Sequence, residues 1–168
     1  LDDRLDIGGE VAYSVLTADL DAPGPAGSNI PSWLGSVADA NISSSADVAF
    51  SLDGKYAFRE SGTLISSSFR RVGAGYSSPG APYLRKDNMR FEGKVEQMFL
   101  QRQMSVAAFY KRDEDNLQNS KPYGTTVNAF GAQVALNYRN APYFRFSYAP
   151  LAQLSRIMIA SLNIETDV

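Results

Sequence analysis

The sequence contains no cysteine and no histidine. Without cysteine there is neither a disulfide nor a thiolate metal site. Without histidine the commonest general base and the commonest metal ligand are missing. A Ser-His-Asp triad is also excluded, so the serines at positions 66 to 68 have no histidine partner. We therefore expect that the protein is not an enzyme and that it holds no cofactor and no metal.

Long apolar runs and a strong net charge are missing as well. No run approaches the roughly 18 to 20 apolar residues of a membrane-spanning helix. The formal charge of −2 gives no electrostatic footprint for nucleic acid. The chain opens on Leu1 rather than methionine, so we take it as a mature or excised piece of something longer. Its 168 residues are enough for one domain with a sizeable core.

What the sequence does contain is alternation of polar and apolar residues. In "RFEGKVEQMF", Arg90–Phe99, charges of alternating sign occupy every second position and apolar residues lie between them. A side-chain period of two predicts a strand with two unlike faces. The same pattern, in a chain with nine Tyr and nine Phe, predicts about eight strands. They are residues 6–17, 47–59, 63–71, 90–99, 104–111, 126–139, 143–149 and 157–164.

The predicted connections alternate between short and long. Residues 60–62, 101–103 and 140–142 have the length of hairpin loops. Residues 18–46, 72–88, 112–125 and 150–156 form the long connections. Short turns at one end and long loops at the other are typical of bacterial transmembrane barrels. The fold class that we predict is therefore all-β: a single antiparallel up-and-down transmembrane β-barrel domain.

Aromatic residues on the apolar face recur at a fixed spacing of eight residues, as in Phe91 and Phe99. Eight residues of a strand tilted by about 40° span roughly 20 Å along the barrel axis. This is close to the apolar band of roughly 25 Å that aromatic girdles flank in outer-membrane barrels. The predicted lipid-facing girdles are Phe50, Phe58, Phe69, Phe91, Phe99, Tyr110, Phe130, Tyr138, Phe144 and Tyr148. The residues between them, Leu52, Val95, Ala132, Val134 and Leu136, all tolerate lipid.

The opposite face of the predicted strands is polar and carries both signs of charge. In a membrane barrel it would line a wet lumen, where opposite charges two residues apart can pair. The predicted lumen residues are Asp53, Lys55, Arg70, Arg90, Glu92, Lys94, Glu96, Gln133 and Arg145. Such a barrel would serve as a porin-like passage or as a membrane scaffold, with the long loops as a gate or a docking surface for other outer-membrane or secreted proteins.

Alternation alone does not say which face is outside. A soluble β-barrel that binds a hydrophobic ligand would place Phe50, Leu52, Phe91, Val95 and Val134 in its interior and the charges in water. A third class is an outer-membrane enzyme acting on lipid, but no catalytic constellation remains without histidine and cysteine. Gln97 on the apolar face and Phe109 on the polar face depart from the membrane pattern.

Three segments carry candidate sites of their own. "RDEDN", Arg112–Asn116, offers oxygen donors for calcium but lacks the spacing of an EF-hand, and we interpret it as a solvated loop tip. "VGAGYSSPGAPY", Val72–Tyr83, is glycine-rich without a phosphate-binding motif, and we predict a loop that folds inward over the lumen. The long loop 18–46 holds the only tryptophan, Trp33, in a segment that could form a short amphipathic turn, a partial plug or a partner-binding surface.

Ser68–Leu117 resembles a group of large outer-membrane β-barrel proteins of the Bacteroidota. The shared features are an Arg-rich strand end, a Gly/Ser/Pro loop leading to "PYLRKD", and a hairpin ending in "DN". "YFRFSYAPLAQ", Tyr143–Gln153, is also similar to these proteins. The resemblance covers about half of the chain and implies a location in the outer membrane of a Gram-negative bacterium, with no activity attached. It also implies a larger barrel, of which this chain would be a segment.

Overall fold

A computed structural model describes residues 4–24, 30–31, 40–138 and 141–157, and these residues form one antiparallel sheet. None of the described residues belongs to a helix that is long and apolar enough to cross a membrane. The eight strands are β1 (Leu5–Thr17), β2 (Ser44–Phe58), β3 (Thr63–Val72), β4 (Asn88–Phe99), β5 (Met104–Asp115), β6 (Tyr123–Leu136), β7 (Phe144–Tyr148) and β8 (Leu151–Ile157). The all-β, up-and-down prediction is confirmed.

The sheet follows the order of the chain from β1 to β7, because each strand pairs with the next one through a tight turn or a loop. Seven of the predicted strands overlap β1 to β7, but several bounds differ: β2 and β4 begin three and two residues earlier than predicted, β5 ends four residues later, and β6 both begins and ends three residues earlier. For example, β5 continues through Arg112 to Asp115, because the charged side chains there pair across the sheet rather than enter a loop.

β7 and β8 are two halves of a single edge strand. Ala132 pairs with Tyr148 and Ala129 pairs with Leu151, so both halves continue the same register along β6. Between them lies Pro150, which has no N–H and interrupts the ladder without ending the strand. The predicted long connection 150–156 is therefore wrong, since residues 151–156 are strand. The predicted strand 157–164 begins where β8 ends, and its residues 158–164 lie outside the described part of the chain.

The two ends of the sheet differ less than predicted. At one end, which we call the long-loop end, the connections are residues 18–43, 73–87 and 116–122. At the other, the short-turn end, they are residues 59–62, 100–103 and 137–143. The loop predicted at 112–125 is thus shorter, and the turn predicted at 140–142 is longer. The predicted difference in length between the two ends therefore holds for the first two connections at each end and not for the third.

The described sheet has one layer and almost no apolar interior of its own. Val72, Ala107 and Ala135 are its only buried apolar residues. The sequence is long enough for a sizeable core, but no second sheet or helix among the described residues covers this one. β1 and the β7/β8 edge do not pair with each other, so the described sheet is open. A single uncovered layer must bury its apolar face against something outside itself.

Candidate functional site

The register places all nine predicted lumen residues on one face of the sheet, which we call the polar face. One row across it runs from Glu10 through Ser51, Arg70 and Arg90 to Asp113. The next row towards the short-turn end joins Gly8, Asp53, Ser68, Glu92 and Lys111. Lys55, Lys94, Glu96, Gln133 and Arg145 share this face in the rows that follow.

The charges on the polar face pair mainly across strands. Lys94 Nζ lies 2.8 Å from Glu96 Oε2, which is the pairing at two-residue spacing that the sequence predicts. Glu92 instead binds Lys111 on β5 at 3.0 Å, and Arg90 binds Asp113 on β5 at 2.7 Å. Sequence reasoning missed Lys111 and Asp113 as partners because their distance from β4 depends on the turn at 100–103. The lysine and arginine side chains of these pairs are all partly exposed, so each ion pair contributes little to stability on its own.

The polar face carries a pocket of about 650 Å³, which lies over the middle of β2 to β5, between Asp53, Lys55, Ser66, Lys94 and Lys111. Cationic, anionic and hydroxyl groups therefore line it together, and it can hold water and polar solutes of either charge.

Phe109 is an aromatic residue on the polar face, and the residue opposite it explains why it is there. It pairs with Gly131 on β6, and its ring covers the space where a side chain would stand. A Cβ built on Gly131 would lie 2.6 Å from Phe109 Cζ and 2.7 Å from the carbonyl oxygen of Tyr148. The aromatic ring thus protects a glycine that the close approach of β6 and β7 requires.

The glycine-rich segment crosses the polar face at its long-loop end. The N–H of Gly75 donates to Asp47 Oδ2 at 2.8 Å, and the N–H of Ser77 donates to Ser14 Oγ at 2.8 Å. Gly73 packs directly on the carboxylate, since a Cβ there would lie 2.0 Å from Asp47 Oδ1. The anion held by this backbone is therefore a carboxylate of the chain itself, and the segment folds over the polar face of the sheet.

The loop 73–87 also brings a basic side chain, Arg85, to the acidic end of β5. Arg85 lies 3.1 Å from Asp113 Oδ1 and 3.4 Å from Asp115 Oδ2, and Lys121 donates to Asp115 at 3.0 Å. Burial by itself would raise the pKa of Asp115, but the hydrogen bond from Lys121 and the charges of Arg85 and Lys121 hold it below its ordinary value. Since bases occupy both carboxylates, "RDEDN" is not a solvated loop tip but a strand end inside an ion-pair network.

A buried aspartate joins the two loops at this end. Asp87 is 2% exposed, and its carboxylate accepts hydrogen bonds from the N–H of Gln118 at 3.1 Å and from Ser120 Oγ at 3.0 Å. Its backbone also bonds to Gly73 and Asn116. Asp87 and Asn116 both have positive φ, of 56° and 62°, which these two residue types tolerate. Asp87 and Asn116, one residue from each of the two "DN" pairs, thus build turns and do not form a ligand site.

The opposite face, which we call the apolar face, carries every predicted girdle residue that falls within a strand. Phe69 pairs with Phe91, and Tyr110 pairs with Phe130. The ring centroids of Phe50 and Phe69 lie 5.6 Å apart, and those of Phe91 and Tyr110 lie 6.3 Å apart. Nothing described covers this face: Val95 is 45% exposed and Phe146 is 72% exposed. Tyr138, which was predicted within a strand, lies two residues past the end of β6 and is also exposed.

Gln97, Arg112 and Glu114 are polar residues near the two ends of the apolar face, and each has a partner. Gln97, at the short-turn end, hydrogen-bonds to Thr63 Oγ1 and to the backbone of Ser61. At the other end, Arg112, which is the register partner of Phe91, pairs with Glu114 at 2.8 Å. The middle of the face is apolar or glycine and serine, so the exposed apolar surface forms a band bounded by polar groups.

The Trp33 hypothesis concerns residues 32–39, which lie outside the described part of the chain. Comparisons with protein-family models, with curated proteins and with solved structures found no match to this chain.

Proposed function

We propose that this chain forms a membrane-spanning arc of an outer-membrane β-barrel in a Gram-negative bacterium, with its apolar face against lipid and its polar face lining a wet lumen. The observation that carries the proposal is the exposed aromatic band. A contiguous apolar surface on this scale marks contact with a membrane or a partner. The polar groups at both ends of the band match the limited thickness of a bilayer.

The polar face supports a role in passage or scaffolding. A pocket of about 650 Å³ with paired charges of both signs accepts water and small polar solutes. The segment 73–87 leans over its long-loop end and narrows the access there. The resemblance to large barrels of the Bacteroidota agrees with this proposal. A soluble barrel with a hydrophobic ligand inside is favoured less, because the pocket of about 650 Å³ lies among the charged residues of the polar face.

The chain's lack of cysteine makes the orientation measurable with single cysteines. Leu52→Cys lies on the apolar face, and Ser68→Cys lies on the polar face of the neighbouring strand. In reconstituted vesicles we expect a water-soluble maleimide to label Ser68→Cys at least tenfold faster than Leu52→Cys. A lipid-soluble maleimide should reverse the order. Equal labelling of both positions by the water-soluble reagent would contradict the membrane orientation.

The passage role has a separate test, the conductance of planar bilayers containing the folded protein. Open-channel steps are expected if the lumen is continuous. A folded barrel in an ion-tight bilayer would remove the passage role and leave the scaffold role.

A further inference from the structure

The β7/β8 edge is unusual because it contains a proline that does not block it. Proline on an edge strand normally removes a donor that faces outward and so discourages pairing with another strand. The direction of the missing N–H of Pro150 therefore decides whether this edge is closed to a partner or open to one.

The hydrogen bonds of β6 give that direction. Asn137 donates its N–H to the carbonyl oxygen of Gln103, 2.7 Å away, across the seam between β5 and β6. Successive N–H groups of a strand point to opposite sides, so odd-numbered residues of β6 face β5 and even-numbered residues face the β7/β8 edge. Even residues of β6 pair with even residues of that edge, as Ala132 does with Tyr148. In the edge strand, even residues thus face β6 and odd residues face outward.

Pro150 is even-numbered and opposes Phe130, so it removes a donor to β6 and none from the outer edge. The outward N–H groups are those of Arg145, Ser147, Ala149, Leu151, Gln153, Ser155 and Ile157, and no proline interrupts them. We infer that the outer edge of β7/β8 is a docking surface for a further β-strand that runs antiparallel to it.

The direction of the strands excludes two simple partners. β1 and the β7/β8 edge both run from the short-turn end to the long-loop end, because Arg4 lies beside Ala57 at the start of β1 and Phe144 lies beside Leu136 at the start of β7. Closing the sheet on itself would pair them in parallel, whereas the strands of bacterial outer-membrane barrels are antiparallel. A second copy in the same membrane orientation would do the same. Antiparallel pairing requires an odd number of additional strands.

The partner is therefore an amphipathic strand from outside the described sheet that runs from the long-loop end to the short-turn end. To continue both faces, it would place apolar residues beside Phe146, Tyr148 and Leu154 and polar residues beside Ser147 and Gln153. This identification of the partner's direction rests on the proposed membrane orientation, whereas the donor pattern of the edge does not.

Two proline variants test the pairing of the edge. Gln153→Pro removes an outward donor, and its neighbour Ala152→Pro removes a donor to β6 in the same part of the strand. Each would be expressed in the native host and scored as protease-resistant folded protein, whichever cell fraction contains it. We expect the amount of protease-resistant folded protein to fall at least tenfold in both variants. Wild-type amounts of Gln153→Pro beside loss of Ala152→Pro would overturn the inference, because the outward donors would then be unpaired.

A cysteine pair tests the direction of the partner. Glu10→Cys on β1 combined with Gln153→Cys on β8 would be treated with a bifunctional maleimide in native membranes, and Glu10→Cys with Ser51→Cys, which are direct partners, serves as the positive control. We expect a link in the control only. A link between Glu10→Cys and Gln153→Cys within one chain would show self-closure, and a link between two chains would show a second copy. Either result overturns the antiparallel partner but leaves the labelling test of the membrane orientation untouched.

Discussion

Replacing Val95 with lysine distinguishes a sheet in lipid from a sheet in water. Val95 lies on the apolar face, pairs with Ile65 and Ala108, and is 45% exposed. It stands four residues from Phe91 and four from Phe99 in β4. At about 3.3 Å per residue and a tilt of about 40°, each aromatic row is roughly 10 Å away along the barrel axis. Val95 therefore marks the middle of the band.

The two environments give very different costs for the same substitution. A lysine at the bilayer midplane on the lipid side of a barrel costs about 2–4 kcal/mol. This corresponds to a roughly 30- to 700-fold shift in the folding equilibrium. On a half-exposed surface in water the change would stay within about 0.5 kcal/mol. The expected result for Val95→Lys is therefore a loss of at least about 2 kcal/mol.

The measurement is guanidinium unfolding in lipid vesicles, followed by circular dichroism. The matched control is Ser68→Lys on the polar face, between Asp53 and Glu92 in the register. Its new cation meets two carboxylates, so we expect a change within about 0.5 kcal/mol. If Val95→Lys and Ser68→Lys unfold at the same denaturant concentration, the lipid contact of the apolar face is refuted.

Three further predictions concern packing and pH. Gly73→Ala should lower the free energy of unfolding by about 2–4 kcal/mol, because the carboxylate that its Cβ meets must leave two backbone hydrogen bonds; Gly80→Ala, with open space around it in the same loop, should change it by less than about 0.5 kcal/mol in the same denaturant titration. The lowered pKa of Asp115 stabilises the fold above its unfolded value of about 3.9, so stability should fall on acidification below about pH 4, and Asp115→Asn should flatten that part of the pH profile measured by thermal unfolding. Gly131→Ala should cost about 1–3 kcal/mol by overpacking, and adding Phe109→Ala should recover only part of it, because the new methyl group still meets a backbone carbonyl oxygen; full recovery in the double-mutant cycle would contradict that contact.

The sequence predicts the strands and their faces well because alternation depends only on the chain itself. Arg90, Glu92 and Lys94 share a face whatever strand lies beside them. Their partners do not follow from alternation, since the pairing of Arg90 with Asp113 depends on the register that the turn sets. The sequence predicts a loop from Pro150 onward, because the position of this proline relative to β6 is a property of the sheet.

The sequence also could not predict the long-loop end. Asp87 is one acidic residue among many in the chain, and nothing local marks it as buried. Its partners at Gln118 and Ser120 come from a different hairpin. The sequence predicts that "RDEDN" is solvated, because the basic residues that neutralise it, Arg85 and Lys121, lie on loops on either side of it in space.

The buried carboxylate of Asp87 has a consequence for how the outer rim of the sheet behaves. Residues 73–87 and 116–122 share this one acceptor and cannot separate without leaving it unsatisfied. They should therefore open as one cooperative unit in hydrogen exchange, with the amides of both segments exchanging at a common rate. A molecule that binds either segment would also restrain the other, so that binding would slow the opening of both segments together.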